Sequence, residues 1–233
     1  MHWEPAELEA LAPVRRYLRD ELDLPVDARV LVLCSAHGTL AIALALSHPG
    51  WKLVGLEADD QLLGDSRAAV AVGELSLRLA FEKAAQKRIE YPDEAFDAVV
   101  SDFILDPTPQ PTKIGQPEMA RVIKPGGTMI VTDVIVTEPL SETAQSELAA
   151  VGLDYLCKAT AADFRRWMTA AGLEDVEVRD VTPAAVAAWQ VRRRRGPHAR
   201  EALGYLRLLD GPRPALGRAI LYICARGRKP TVR

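Results

Sequence analysis

A small set of side chains in this sequence has the type and placement to handle a ligand or a proton. Cys34, Ser35 and His37 fall in the run Cys34-Ser35-Ala36-His37-Gly38, between the apolar segment Val30-Leu31-Val32-Leu33 and a second apolar segment that starts at Leu40. Glu57 closes the apolar stretch 52–56, and Ser101 and Asp102 close the stretch 95–101. Histidine and aspartate titrate in ranges useful for moving protons, so His37 and Asp102 are the candidate catalytic bases. A thiol at a helix start is acidified by the helix dipole, which makes Cys34 a candidate nucleophile, with small-residue packing as its other reading. Cys34, Cys157 and Cys224 show no Cys-x-x-Cys spacing and no nearby histidine, so neither a metal site nor a disulfide framework is expected.

The elements that must position these residues follow from hydrophobic periodicity. Residues 28–33 are apolar on both faces, as in a central parallel strand, and 39–47 continue as a helix that stops at Pro49-Gly50. Residues 52–56 form a second strand and 60–72 a helix, after which Leu75, Leu77, Leu79 and Phe81 alternate as in a third strand. A fourth strand spans 95–101, a short helix 118–123, and a fifth strand 128–132 follows the turn Lys124-Pro125-Gly126-Gly127. Thr160 and Asp163 have capping-box spacing, Phe164, Trp167, Met168 and Ala171 make one apolar face, and Gly172 ends that helix. Residues 176–181 and 219–225 supply a sixth and a seventh strand. Strand and helix alternate, which predicts a doubly wound α/β sheet whose ligand site lies at the carboxyl ends of the strands.

Three further segments flank this frame. Residues 1–27 carry an amphipathic lead-in helix that starts after Pro5 and stops at Pro25. The loop Asp106-Pro107-Thr108-Pro109-Gln110-Pro111 leaves the carboxyl end of the fourth strand, and its prolines bar regular structure. Residues 182–218, too long for a hairpin turn, are read as a helical insertion with helices near 184–190 and 199–209, a lid between the last two strands. With 233 residues and 48% hydrophobic content, one domain over 1–233 is expected. The 29 Lys and Arg against 32 Asp and Glu leave a formal charge of −3, so nucleic acid is not an expected partner. Arg192 to Arg195 form the one concentrated basic patch, read as a solvated helix end or an anion contact. No apolar run is long enough to span a bilayer, and the sparse cysteines suit a reducing cytoplasm.

Four blocks taken in order resemble the class I S-adenosylmethionine-dependent methyltransferases. They are the first strand, turn and helix; Glu57 after the second strand; Tyr91-Pro92-Asp93-Glu94-Ala95-Phe96-Asp97 before the fourth; and Arg121-Val122-Ile123-Lys124-Pro125-Gly126-Gly127 before the fifth. The last two are similar to the branch that modifies quinones, sterols and other small molecules. The resemblance implies a seven-stranded sheet, mostly parallel with an antiparallel last strand, S-adenosylmethionine as cofactor and a small-molecule acceptor. Cys157-Lys158-Ala159 before Phe164 is also similar to a segment of arsenite methyltransferases, whose other thiol positions are not evident here.

Carried over residue by residue, the resemblance implies a cofactor site of Cys34, Ser35, Ala36, Gly38, Glu57, Ala58, Ala85, Gln86, Ser101 and Asp102. Glu57 matches the acid that accepts bonds from both ribose hydroxyls, Ala85 and Gln86 stand near the adenine-reading position, and Ser101 and Asp102 face the sulfonium and the acceptor. The first strand departs from the family: Val32 holds the usual acidic place, Cys34 and Ala36 hold the first two glycine places, and only Gly38 is kept. Valine accepts no hydrogen bond, and Cys or Ala brings a Cβ to a crowded turn. Two readings therefore stand: an active methyltransferase on a small apolar or aromatic acceptor, and a catalytically decayed relative acting as a binding or partner protein. Nicotinamide chemistry is disfavoured, because Gly-x-Gly-x-x-Gly is absent. The short lead-in before the first strand leads us to expect closure of the site by a second subunit, as a homodimer.

Overall fold

Apolar strands that alternate with helices organise this chain around one sheet. The computed structural model describes residues 22–33, 38–71, 74–85, 87–102, 114–137, 139–150, 159–193 and 220–231. In chain order the elements are β1 (Arg29–Leu33), α1 (Thr39–Ser47), β2 (Lys52–Glu57), α2 (Asp60–Val70), a 3-10 turn (Glu74–Leu77), β3 (Leu79–Lys83), β4 (Phe96–Asp102), α3 (Gln116–Val122), β5 (Ile123–Val136), α4 (Glu142–Ala150), α5 (Ala161–Ala170), β6 (Glu174–Asp180), α6 (Thr182–Arg193) and β7 (Ile220–Arg228). The seven strands lie in the order β3-β2-β1-β4-β5-β7-β6. β1 pairs in parallel with β2 and β4, and β7 runs antiparallel to both β5 and β6, so the expected topology is met.

Side chains alternate between the two faces of this sheet, and each face is sealed by its own helices. Val30, Val32, Leu53, Phe81 and Val100 pack with Leu40, Ala41 and Leu44 of α1 in one core. Leu31, Leu33, Leu56, Val99 and Val131 pack with Met119 of α3 and Phe164 and Met168 of α5 in the other. Residues 40–45 of α1 are all buried between the sheet and its neighbours, and the helix meets solvent in its last turn at Leu46 and Ser47. The capping box of α5 is formed: Thr160 Oγ1 accepts from the Asp163 backbone N–H at 3.2 Å, and the Thr160 N–H donates to Asp163 Oδ2 at 2.9 Å. These bonds, first of all the one from the Thr160 backbone, hold the Asp163 carboxyl below the usual carboxylate range. Gly172 adopts φ +87°, and its N–H reaches the Thr169 carbonyl at 2.9 Å, closing the helix in the left-handed conformation that suits glycine.

The structure departs from the expected elements in three places. Leu75 and Leu77 belong to the 3-10 turn, and β3 begins only at Leu79. The Arg78 guanidinium donates to the Ala45 carbonyl at 2.6 Å and to the His48 carbonyl at 3.3 Å, which pins that corner to the end of α1. Leu77 is left 87% exposed, so the leucine alternation mimicked a strand across a turn. Second, Lys124 to Gly127 do not separate α3 from the fifth strand. They lie inside β5, where Gly126 at φ +77° exchanges backbone bonds with Lys229, its N–H to the Lys229 carbonyl and the Lys229 N–H to the Gly127 carbonyl. Third, α4 has no counterpart in the sequence reading. Of the segment 182–218, α6 covers and extends the helix expected at 184–190; the helix expected at 199–209, the lead-in helix and the loop 106–111 lie outside the described residues.

The last two of the four blocks that carried the resemblance have a structural task at the amino ends of the strands. Asp97 Oδ2 accepts the Arg29 backbone N–H at 2.8 Å and Asp97 Oδ1 accepts from Lys124 Nζ at 2.8 Å, so one carboxylate ties the starts of β1, β4 and β5 together. Arg121 donates to Glu118 and Asp93 and to the carbonyls of Ile89 and Tyr91, at 2.7 to 2.9 Å. That bond network lowers the Glu118 acid below its usual range and raises the Arg121 guanidinium further. Tyr91 is pushed up to about 12, first by burial and then by its 2.7 Å bond to Glu82. Lys229 Nζ donates to the carbonyls of Ala120 and Ile123, the open end of α3, where a cation is favoured.

Candidate active site

β1 ends at Leu33, and the turn that follows it is where an open α/β sheet builds a ligand site. Its neighbours bring two polar side chains to that point. Leu33 is in register with Leu56 on β2, so Glu57 lies one residue beyond the end of β1 on that side. Leu33 is also in register with Ser101 on β4, which flanks the end of β1 on the other side. Glu57 is 1% exposed, an unusual burial for an acid, and its own carbonyl accepts the Ala84 N–H at 2.8 Å. Ser101 is equally buried, and its hydroxyl has no hydrogen-bond partner among the described residues. A buried hydroxyl without a partner carries a desolvation cost of about 1–3 kcal/mol, which a ligand can relieve.

Gly38 caps α1 with φ +76° and no side-chain bond. A Cβ there would stand 2.6 Å from Cζ of Phe81. The one glycine kept in the turn therefore lets the helix start close against the sheet, which is the role of the third glycine in such turns. Val32, at the family's acidic position, is fully buried in the first core between Gly55 and Val100. The place is occupied by packing and offers no acceptor.

The other expected site residues divide clearly. Ala58 packs partly buried at the end of β2, and Ala85 forms an isolated bridge with Arg88 after β3, both on the carboxyl side of the sheet. Asp102 is the last residue of β4 and pairs with Thr132; its side chain is outside what is described. Cys34, Ser35, Ala36, His37 and Gln86 lie outside the described residues, as does Cys157. Cys224 is buried in β7, and among the described residues no group of His, Cys, Asp and Glu could hold a metal ion. No helix among the described residues is long and apolar enough to cross a membrane.

One feature of this region was not read from the sequence. A pocket of about 430 Å³ opens on the α3 and α5 side of β5, with Asp133, Gln116 and Trp167 among its walls. Burial pushes the Asp133 carboxyl up to about 7, against a weaker opposing effect of the Val134 N–H bonded to it at 2.7 Å. Asp133 is only part-buried by accessible area although protein surrounds it densely. The pocket opens to solvent, and water at its mouth limits how far the charged form is disfavoured. The available signal was an acid interrupting the apolar run Met129 to Ile135, hidden by ending the fifth strand at Thr132.

Comparison with known proteins agrees with this geometry. A family model described as a methyltransferase domain matches residues 26–177, well over half of the chain. The chain belongs to this family, the class I S-adenosylmethionine-dependent methyltransferases. It is 27% identical to a demethylmenaquinone methyltransferase of Clavibacter sepedonicus, over 84% of this chain and 82% of that protein. Among solved structures it is similar to the [4+2]-cyclase SpnF, with a TM-score of 0.68 at 19% identity over 100% of this chain and 84% of that one. It is also similar to geranyl diphosphate C-methyltransferase from Streptomyces coelicolor A3(2), with a TM-score of 0.69 at 12% identity over 94% of this chain and 79% of that one. A cyclase and a methyltransferase share this fold, so the site must decide the chemistry.

Proposed function

We propose that the protein transfers a methyl group from S-adenosylmethionine to a small, apolar or aromatic acceptor. The observation that carries this reading is the buried pair Glu57 and Ser101 on either side of the end of β1. A buried carboxylate suits a vicinal diol, and a hydroxyl without a partner suits a second polar contact, so the described residues fit an adenosyl ligand. When bound, the cofactor supplies an electrophilic methyl carbon. Glu57 accepts from the ribose hydroxyls, Ser101 faces the sulfonium and the acceptor, and the turn closed by Gly38 places α1 against them. Asp102 and His37 remain the candidate proton acceptors, and Cys34, Ser35, Ala36, Ala58, Ala85, Gln86 and Asp102 complete the proposed cofactor contacts. In-line methyl displacement asks mainly for alignment and exclusion of water, so no further triad is required. The acceptor would enter past the loop 106–111 and the insertion 182–218. S-adenosyl-L-homocysteine is bound in the geranyl diphosphate C-methyltransferase structure, which supports the choice of cofactor.

The second reading, a decayed relative that binds a ligand or partner without catalysis, is favoured by Val32 in the core where the family has an acid. Calorimetric titration with S-adenosylmethionine and S-adenosylhomocysteine, run beside Glu57→Ala, separates the two. We expect binding in the parent chain and affinity at least about tenfold weaker in the variant, the size of one or two lost charged hydrogen bonds. No binding at millimolar ligand would remove the methyl-transfer reading. Binding without transfer to any acceptor in a broad screen would favour the second.

A further inference from the structure

Two polar groups in the pocket beside β5 lack an evident use in the fold. Gln116, at the start of α3, holds its amide oxygen out of solvent with no hydrogen-bond partner among the described residues. Among the described residues, Asp133 Oδ1 accepts the N–H of its chain neighbour Val134 alone, which leaves the carboxyl with capacity to accept more. Both line one cavity of about 430 Å³ whose other walls are apolar, including Ile114, Met119, Val131 and Phe164. Trp167 stands at its rim, 38% exposed, with its ring 5.4 Å from that of Phe164 and tilted by 60°. The cavity therefore combines hydrogen-bond acceptors, aromatic rings and hydrocarbon in its lining.

Its position ties it to the proposed cofactor site. Ser101 is in register with Val131 on the adjacent strand. Val131 and Asp133 are two residues apart on β5 and share its face, so Asp133 lies one pleat further toward the carboxyl edge than the orphaned Ser101 hydroxyl. One strand spacing of about 4.8 Å and a two-residue rise of about 6.6 Å put the two Cα atoms roughly 8 Å apart, about the width of one ring.

We propose that this cavity is the acceptor subsite, and that it takes a neutral ring compound carrying a hydroxyl, whose one O–H is shared between the Asp133 and Gln116 oxygens in a three-centre bond while the ring lies against Phe164 and Trp167. The proposal rests on the methyl-transfer reading for the ligand's role as acceptor, but the binding chemistry stands by itself. Acceptors in an apolar cavity select for a donor, since an ether or a hydrocarbon would leave the buried Gln116 oxygen unmatched. Burial disfavours the ionised form of the Asp133 carboxyl, which favours a neutral guest over an ammonium ion, and the protonated acid keeps a carbonyl oxygen that accepts an O–H. The flat shape follows from the rings at the rim, which give contact area to another ring at low entropic cost.

Equilibrium dialysis of the full chain, with and without S-adenosylhomocysteine, against 1-naphthol, 1-methoxynaphthalene and 1-(aminomethyl)naphthalene tests this. The expected result is 1-naphthol bound about tenfold more tightly than its methyl ether, the worth of one hydrogen bond to a buried acceptor. Asp133→Leu should abolish that preference. Gln116→Met should reduce it and should fold normally, because it removes a buried polar atom that has no partner. Leu77→Ser, at a remote exposed site, should leave it unchanged. Equal binding of naphthol and ether, a preference that survives Gln116→Met at full strength, or tighter binding of the amine would each overturn the proposal. Calorimetry with S-adenosylhomocysteine on the same preparations keeps the two ideas separate. Failure of the nucleoside with an intact naphthol preference removes methyl transfer and leaves the pocket, and the reverse result removes the pocket alone.

Discussion

Replacing Asp133 with asparagine should stabilise the protein at alkaline pH and do almost nothing at acid pH. Burial raises this carboxyl from 3.8 to about 7 in the folded chain, so the folded state keeps a proton that the unfolded state has already lost. Below pH 4 both states hold the proton and the group is neutral in effect. Between pH 4 and 7 stability falls as pH rises, and above 7 the full penalty of burying the ion is present. At about 1.4 kcal/mol per unit, a rise of roughly 3 units sets a ceiling of about 4 kcal/mol. Asp133 is partly exposed at the mouth of an open pocket, and solvent screening brings the expected value down to about 1–2 kcal/mol. Asparagine keeps the oxygen that accepts the Val134 N–H at 2.7 Å and never carries the charge. Thermal melts at pH 8.5 should place Asp133→Asn above the parent by roughly 2–8 °C, at about 2–4 °C per kcal/mol for a chain of this size. At pH 3.5 the gap should shrink to about 1 °C or less, since both states hold the proton there. A gap of equal size at both pH values, or a variant less stable at pH 8.5, would refute the reasoning.

Three other substitutions separate architecture from site. Ser101→Ala removes a buried hydroxyl that has no partner, so denaturant unfolding should show unchanged or higher stability, by about 1 kcal/mol at most, while affinity for S-adenosylhomocysteine falls. Gly127→Ala should destabilise by about 2–4 kcal/mol, because the new Cβ would stand 2.7 Å from the Asp97 carbonyl and 2.9 Å from that of Lys124, and backbone cannot swing aside; an unaltered urea midpoint would contradict this. Arg121→Met leaves Glu118 and two carbonyls without their donor and should cost about 2–4 kcal/mol in the same assay. Because Arg121 works at the amino ends of the strands, the folded variant should bind S-adenosylhomocysteine like the parent.

Apart from α4, the order of elements was legible in the amino-acid sequence, because it rests on local signals. Apolar runs 28–33, 52–56 and 95–101 are too hydrophobic on both faces to be anything but central strands, and Thr160, Asp163 and Gly172 mark the ends of α5 through bonds that reach no further than three residues. The Tyr91 and Arg121 blocks identified the family, yet they bond to each other at the edge opposite the site, so they speak for the fold and say little about chemistry. Local alternation misled at Leu75 and Leu77, where a distant contact from Arg78 to the end of α1 chose a turn over a strand. The tertiary structure alone decided which polar groups meet. That Glu57 and Ser101 flank the end of β1 depends on two strand registers, and that Asp133, Gln116 and Trp167 share a cavity depends on how α3 and α5 pack on β5. Burial, and with it the proton affinity of Asp133 and the missing partner of Ser101, is a property of those distant contacts, which no window of neighbouring residues contains.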